Sequence, residues 1–120
     1  MTRGRQVNNC IFCKIVNKEI PSNYIYEDDD MIIIKDINPI AKKHFLAIPK
    51  LHFSDVVSMS EDNAKTIGKM LKKIGAIADS LLELEKGFRI VMNKGEHGCQ
   101  SIFHLHLHIL GGEQLSPHFN

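Results

Sequence analysis

The sequence predicts an α+β domain built on an antiparallel sheet, and three observations predict it. Five short segments are apolar, β-branched or alternating in character, as strands are. One long segment repeats apolar residues at three- and four-residue spacing, the mark of a helix with one buried face. A short apolar stretch near the N-terminus, halted before Pro21, fits a second, brief helix.

In chain order, Ile11 to Lys18 predict the short helix. Asn23-Tyr24-Ile25-Tyr26-Glu27 alternates like a strand, and the acidic turn Asp28-Asp29-Asp30 leads to Met31-Ile32-Ile33-Ile34-Lys35, so the two form a hairpin. Asn38-Pro39 marks a loop, and His44-Phe45-Leu46-Ala47-Ile48-Pro49 is a third strand ended by proline. The long helix starts behind Ser60, an N-cap followed by Glu61 and Asp62 in the first turn. Ala64, Ile67, Leu71, Ile74, Ala78 and Leu81 are its expected buried face, and Gly87 its expected stop. Phe88 to Asn93 form the fourth strand, and Gly95-Glu96-His97-Gly98 a loop. The last strand is expected from Ile102 to Leu110, closing at Gly111-Gly112.

At 120 residues the chain has the length of one domain. Residues 1–120 are read as a single unit with a loose N-terminal arm over 1–9 and a C-terminal tail over 113–120. A net charge of +1 argues against a broad basic surface for DNA or RNA, so any phosphate is held locally. No apolar run approaches the roughly 20 residues that cross a bilayer, and the first residues lack the apolar core of a signal peptide. With three cysteines, an odd number, the expectation is a reducing, cytoplasmic setting in which thiols stay free or bind metal. Cys10-x-x-Cys13 therefore reads either as a redox dithiol or as half of a zinc site.

The chemistry concentrates in His104-Leu105-His106-Leu107-His108. Side chains alternate along a strand, so the three imidazoles share one face, roughly 7 Å apart, while Leu105, Leu107 and Ile109 enter a core. An imidazole is neutral and nucleophilic in part at physiological pH, which suits metal binding and phosphoryl chemistry alike.

The segment Gln100-Ser101-Ile102-Phe103-His104-Leu105-His106-Leu107-His108-Ile109-Leu110-Gly111-Gly112 resembles the signature of the histidine triad family, in its nucleotide-binding, phosphoramidase-like branch. Asp36-Ile37-Asn38-Pro39, His44-Phe45-Leu46-Ala47-Ile48-Pro49-Lys50-Leu51-His52 and Ile11-Phe12-Cys13-Lys14-Ile15 extend the likeness upstream. The resemblance implies that family's fold, dimerising into a continuous sheet through the long helix and the strand from Phe88 to Asn93.

It also implies a purine nucleotide, AMP-like, as ligand. His106 would attack its α-phosphate to give a nucleotidyl-histidine that water then hydrolyses. His44, Ser101 and His108 complete the implied catalytic set, with the His44 backbone carbonyl expected to orient His106. His108 and Asn93 would contact the phosphate oxygens. Ser101 would sit near the leaving group or a phosphate oxygen, with Gln100, also nucleotide-binding, in the same loop. Asp36 would hold the ribose, and Phe12, Ile15 and Ile37 would line the base pocket. Nucleoside phosphoramidates or related α-phosphate conjugates are the implied substrates, with no organic cofactor. Dinucleoside polyphosphate hydrolysis and a nucleotide-binding or scaffolding module with incidental hydrolysis are the alternatives. Some bacterial-type members hold structural zinc with residues matching Cys10, Cys13, His52 and His104. The sequence departs from the pattern at Cys99, where glycine is usual in the phosphate loop, and in a C-terminal tail that lacks a tryptophan.

Overall fold

The computed structural model describes residues 9–119, so the arm expected over residues 1–9 lies outside the described residues except for its last position. Seven elements follow in order: α1 (Ile11–Val16), β1 (Tyr24–Glu27), β2 (Met31–Lys35), β3 (Lys43–Pro49), α2 (Glu61–Ile77), β4 (Phe88–Val91) and β5 (Leu107–Gly111). The strands form one antiparallel sheet in the order β1-β2-β3-β5-β4.

Strand alternation divides the sheet into two apolar faces. Met31, Ile33, Phe45, Ala47, Leu107 and Ile109 meet Ile67, Met70 and Ile74 of α2. On the opposite face Ile32, Ile34, Leu46 and Ile48 meet Phe12, Ile15 and Val16 of α1. The short helix covers only part of that second face. Where its cover ends, β3 and β5 carry histidines in place of aliphatic residues.

Ser60 caps α2 as expected, its hydroxyl accepting from the Asn63 N–H while the Asn63 carboxamide oxygen accepts from the Ser60 N–H. The buried stripe differs from the expected one. Met70 and Leu82 are buried, whereas Leu71 and Leu81 are 43% and 44% exposed and Ala64 is exposed. The helix also ends at Ile77 rather than near Gly87. Leu82 and Leu84 both enter the core, and a continuing helix would turn Leu84 away from the side that buries Ala78. The chain unwinds instead, with Glu83 in the left-handed region at φ 57° and the Leu84 N–H bonded to the Ala78 carbonyl.

The last strand is shorter than expected. It begins at Leu107, so His104 and His106 lie in an irregular extended approach to β5, not within it. The reason lies in the partners of this approach. The Leu105 N–H bonds the Phe53 carbonyl, and Gln100 and Ser54 tie the preceding loop to the same segment, so ladder pairing with β3 starts only at Leu107–Ala47. No helix among the described residues is long and apolar enough to cross a membrane.

Candidate active site and metal cluster

Three local devices aim the histidines. The first acts on His106, which is 8% exposed. Its Nδ1–H donates to the carbonyl of His104 at 2.8 Å, which leaves the Nε2 lone pair free. The orienting carbonyl is thus that of His104, not of His44 as expected. The His44 carbonyl accepts from the Asp36 N–H at the β2–β3 pairing and is not available. Phe12 of α1 sets its ring edge-on to His106, with centroids 5.0 Å apart.

The second device is a relay. The Ile40 N–H donates to Nδ1 of His44 at 3.1 Å, so the His44 proton sits on Nε2. That Nε2–H lies 2.9 Å from Nδ1 of His108 and 3.3 Å from an Asp36 carboxylate oxygen. His108 then carries its own proton on Nε2. Burial pushes His44 and His106 below the usual imidazole range, and it pushes His108 down to about 4, helped by the nearby His106 and His44 rings. With His44 neutral, its contact with Asp36 is a hydrogen bond and not an ion pair. The sheet register explains the meeting. His44 pairs with Leu110 and His108 with Leu46, so the two histidines are diagonal neighbours on adjacent strands.

The third device is a loop clamp. The Gln100 carboxamide donates to the carbonyls of Ser54 and Ile102 and accepts from the Gly95 N–H. Gln100 therefore holds the loop over 94–101. Within that loop Cys99 is exposed and left-handed, with φ 61°, which accounts physically for glycine at this place in the resembling pattern. Ser101 is exposed beside the clamp. Asn93, half-buried, follows β4, and extending the Val91–His108 register sets it across from His106.

The residues expected around a base divide by burial. Phe12 and Ile15 are 4% and 7% exposed and belong to the core under α1, whereas Ile37 is 91% exposed on the loop after Asp36.

Cys10, Cys13, His52 and His104 come together with one donor atom each, all within 4.8 Å of one another. The Cys10 and Cys13 sulfurs lie 3.4 and 3.6 Å from Nδ1 of His104. Nδ1 of His52 lies 3.4 Å from the Cys13 sulfur and 3.2 Å from Nδ1 of His104. The His104 Nε2–H donates to the Pro49 carbonyl at 2.8 Å, which turns the Nδ1 lone pair into the cluster. Burial pushes His104 down to about 4, so this ring is neutral, as a metal ligand must be. Cys10 also caps α1, its sulfur accepting from the Cys13 N–H. The donor set and its close packing fit a tetrahedral cation. The sequence spacing alone left the Cys-x-x-Cys pair ambiguous, and the two histidines join it in a group that could hold a metal ion. Asp36, His44 and His108 also converge, but the Ile40 N–H on Nδ1 keeps a proton on the nitrogen of His44 that a metal would need.

Sequence reasoning missed the backbone groups that orient the rings, namely the Ile40 N–H and the Pro49 and His104 carbonyls. No side-chain pattern reports them.

A family profile described as "Scavenger mRNA decapping enzyme C-term binding" matches residues 9–118. Protein HitA of Neisseria gonorrhoeae is 46% identical over 105 residues, covering 88% of this chain and 97% of that protein. The purine nucleoside phosphoramidase of Escherichia coli (strain K12) is 38% identical over 107 residues, covering 89% and 90%. Among solved structures, a histidine triad protein from Clostridium difficile superposes with a TM-score of 0.90 at 36% identity, covering 96% of this chain and 100% of that one. A zinc-bound histidine triad family protein from Mycobacterium smegmatis gives 0.75 at 33% identity, covering 93% and 83%. The fold, the three-histidine approach to β5 and these matches define a histidine triad domain. The chain belongs to the histidine triad family, in its nucleotide-binding, phosphoramidase-like branch.

Proposed function

We propose that this chain is a nucleotide hydrolase that cleaves AMP-like purine nucleoside phosphoramidates, or related α-phosphate conjugates, through a nucleotidyl-histidine at His106. The observation that carries the reading is the 2.8 Å bond from His106 Nδ1–H to the His104 carbonyl, which leaves Nε2 as a held, unprotonated nucleophile. The 38% identity to a purine nucleoside phosphoramidase supports the substrate class.

In the proposed reaction Nε2 of His106 bonds to the α-phosphorus as the bond from phosphorus to the leaving amine breaks, and the amine takes a proton from solvent. Water then attacks the same phosphorus and gives up its proton to solvent as the bond to His106 breaks, which returns the lone pair to Nε2. The outward Nε2–H of His108 donates to a phosphate oxygen as charge builds. Asn93 reaches the phosphate from the end of β4, and Ser101 lies by the leaving group. Asp36 takes the ribose hydroxyls. Ile37 forms the exposed wall of the base site, with Phe12 and Ile15 supporting it from beneath.

Zinc is the proposed occupant of the Cys10–Cys13–His52–His104 cluster. Two thiolates and two neutral imidazoles would close its coordination, so its role is structural. A homodimer is proposed as well. It is supported by the position of β4 at the sheet edge and by the outward Leu71, Ala64 and small residues Gly68 and Gly75 of α2.

Wild-type and His106→Ala protein incubated with an AMP phosphoramidate test the reading. AMP release by the wild type and its loss in the variant, with AMP binding retained by both, is the expected result. Turnover surviving in the variant sinks it. If both proteins bind AMP and neither releases it from the conjugate, the chain is a nucleotide-binding module.

A further inference from the structure

His104 belongs to two structures at once. Its ring supplies Nδ1 to the metal-binding cluster and donates Nε2–H to the Pro49 carbonyl. Its backbone carbonyl, in the same residue, accepts the Nδ1–H of His106. Ring and carbonyl share one Cα held from both sides, so a shift of the His104 backbone moves the metal-binding nitrogen and the group that orients His106 together. Phe12 makes a second link. It sits next to Cys13 on α1, and its ring lies edge-on to His104 at 5.9 Å and to His106 at 5.0 Å. The cluster caps α1 through the Cys10 sulfur, so whatever holds Cys10 and Cys13 also holds Phe12 against His106.

We propose that metal occupancy of the Cys10–Cys13–His52–His104 cluster aligns the nucleophile His106, with His104 and Phe12 as positioning residues. The inference rests on the zinc and hydrolase readings above and goes beyond a purely structural zinc. Occupancy fixes His104 from its ring side, the Pro49 carbonyl fixes it from the other, and its carbonyl is then held in line with His106 Nδ1. Without the cation, the sulfurs of Cys10 and Cys13, packed 3.4 and 3.6 Å from the same imidazole nitrogen, lose the charge that draws them together. The α1 end and the His104 peptide loosen as one unit. Metal chemistry supplies no step of the hydrolysis here. Its effect is confined to which nitrogen of His106 carries the proton and where Nε2 points.

The test compares zinc-loaded protein with protein stripped by a chelator. Zinc stoichiometry, the imidazole nitrogen resonances of His106, and kcat and KM for an AMP phosphoramidate are measured separately. The expected result is one zinc per chain and a single Nδ1–H tautomer of His106 in the loaded protein. Stripping should mix the tautomers and lower kcat about tenfold or more, with KM held within about threefold. Added zinc should restore both.

An unchanged tautomer and kcat after complete stripping overturn the proposal while leaving the hydrolase reading intact. A chain that binds no zinc overturns it together with the zinc reading. Turnover that survives His106→Ala removes His106 as the nucleophile, while the link between the cluster and the His106 ring is still read from its tautomer. If the stripped chain unfolds, Cd²⁺-loaded protein decides. The larger ion lengthens the bonds to Cys10, Cys13, His52 and His104, so the His106 imidazole nitrogen resonances must move relative to the zinc form, and resonances that stay fixed overturn the proposal.

Discussion

Nε2 of His44 lies 2.9 Å from Nδ1 of His108, and the opposite nitrogen of His44 accepts the Ile40 N–H at 3.1 Å. A backbone amide, which cannot ionise, thus fixes the proton on one ring, and that ring fixes the proton on the next. The end of this chain is an N–H on His108 facing the open side of the sheet. His106 is fixed the opposite way, by donating Nδ1–H to a carbonyl, so neighbouring imidazoles on one face present a lone pair and a proton respectively. The two histidines gain distinct roles from backbone partners rather than from any difference in side-chain chemistry.

Replacing His44 by Phe keeps the buried ring and removes the relay. The kcat for an AMP phosphoramidate should fall by about 10- to 100-fold, the size expected when an orienting partner is lost, with KM changed far less. Steady-state kinetics on the variant checks this, and an unchanged kcat would show that His108 needs no orienting.

Turnover should depend on pH through neutral imidazoles. Burial lowers His106 below its ordinary 6.5, so the acid limb of kcat/KM should lie below pH 6.5. Stability follows the same sign. His108 is held at about 4 in the folded chain against 6.5 when unfolded, so the unfolded chain takes up a proton first as pH falls. Stability present above pH 6.5 should be lost progressively toward pH 4. Urea unfolding across that range should show a flatter profile for His108→Gln than for the wild type.

A second acid transition belongs to Glu27. Lys18 and Lys50, at 2.7 and 2.8 Å, hold its carboxyl at about 2 against an ordinary 4.5. A depressed carboxylate stabilises above its unfolded pKa, so this contribution is complete above pH 4.5 and disappears as pH falls to 2. The side chains are partly exposed, and each pair is worth at most about 1 kcal/mol. Glu27→Gln should flatten the unfolding free energy between pH 4.5 and 2 and leave it nearly unchanged in slope near pH 7.

The loop that approaches the site carries strain at one position and crowding at the next. Cys99→Gly relieves a left-handed backbone at φ 61° and should raise stability by about 0.5–1 kcal/mol, once the added freedom of the unfolded chain is set against it. Gly98→Ala should do the reverse. Its Cβ would stand 2.6 Å from the Lys94 carbonyl oxygen, so backbone must move, at a cost of about 1–3 kcal/mol. Chemical denaturation of both variants measures the two signs.

Removal of metal should have its own signature. If Cys10, Cys13, His52 and His104 hold zinc, Cys13→Ser should lower both the zinc content and the thermal midpoint, because binding free energy to a folded-state site is folding free energy. Metal analysis and a melting curve on the same preparation suffice.

Much of this was legible in the residues. Apolar, β-branched and alternating segments located all five strands, the last with a start five residues too early, and Ser60 announced the start of α2 through its capping chemistry. The choice between Leu71 and Met70, or Leu81 and Leu82, was not legible. Both sets fit three-four spacing, and only the position of the sheet determines which side of the helix is buried. The early end of α2 was hidden for the same reason, since Leu84 enters the core only where the turn brings it.

The site divides in the same way. The sequence by itself determined which side chains carry chemistry: three imidazoles at alternating positions, a Cys-x-x-Cys pair and a carboxylate ahead of the third strand. That information is local, set by residue type and spacing. Tertiary structure alone decided their partners. It separated His104 into a Cys–His cluster with residues up to 94 positions away, and it joined His108 to His44 on the adjacent strand. It also chose the carbonyl of His104 over that of His44 to hold the His106 ring. Backbone hydrogen bonds made those choices, and every residue offers the same N–H and C=O, so no pattern of side chains could announce which of them would be used.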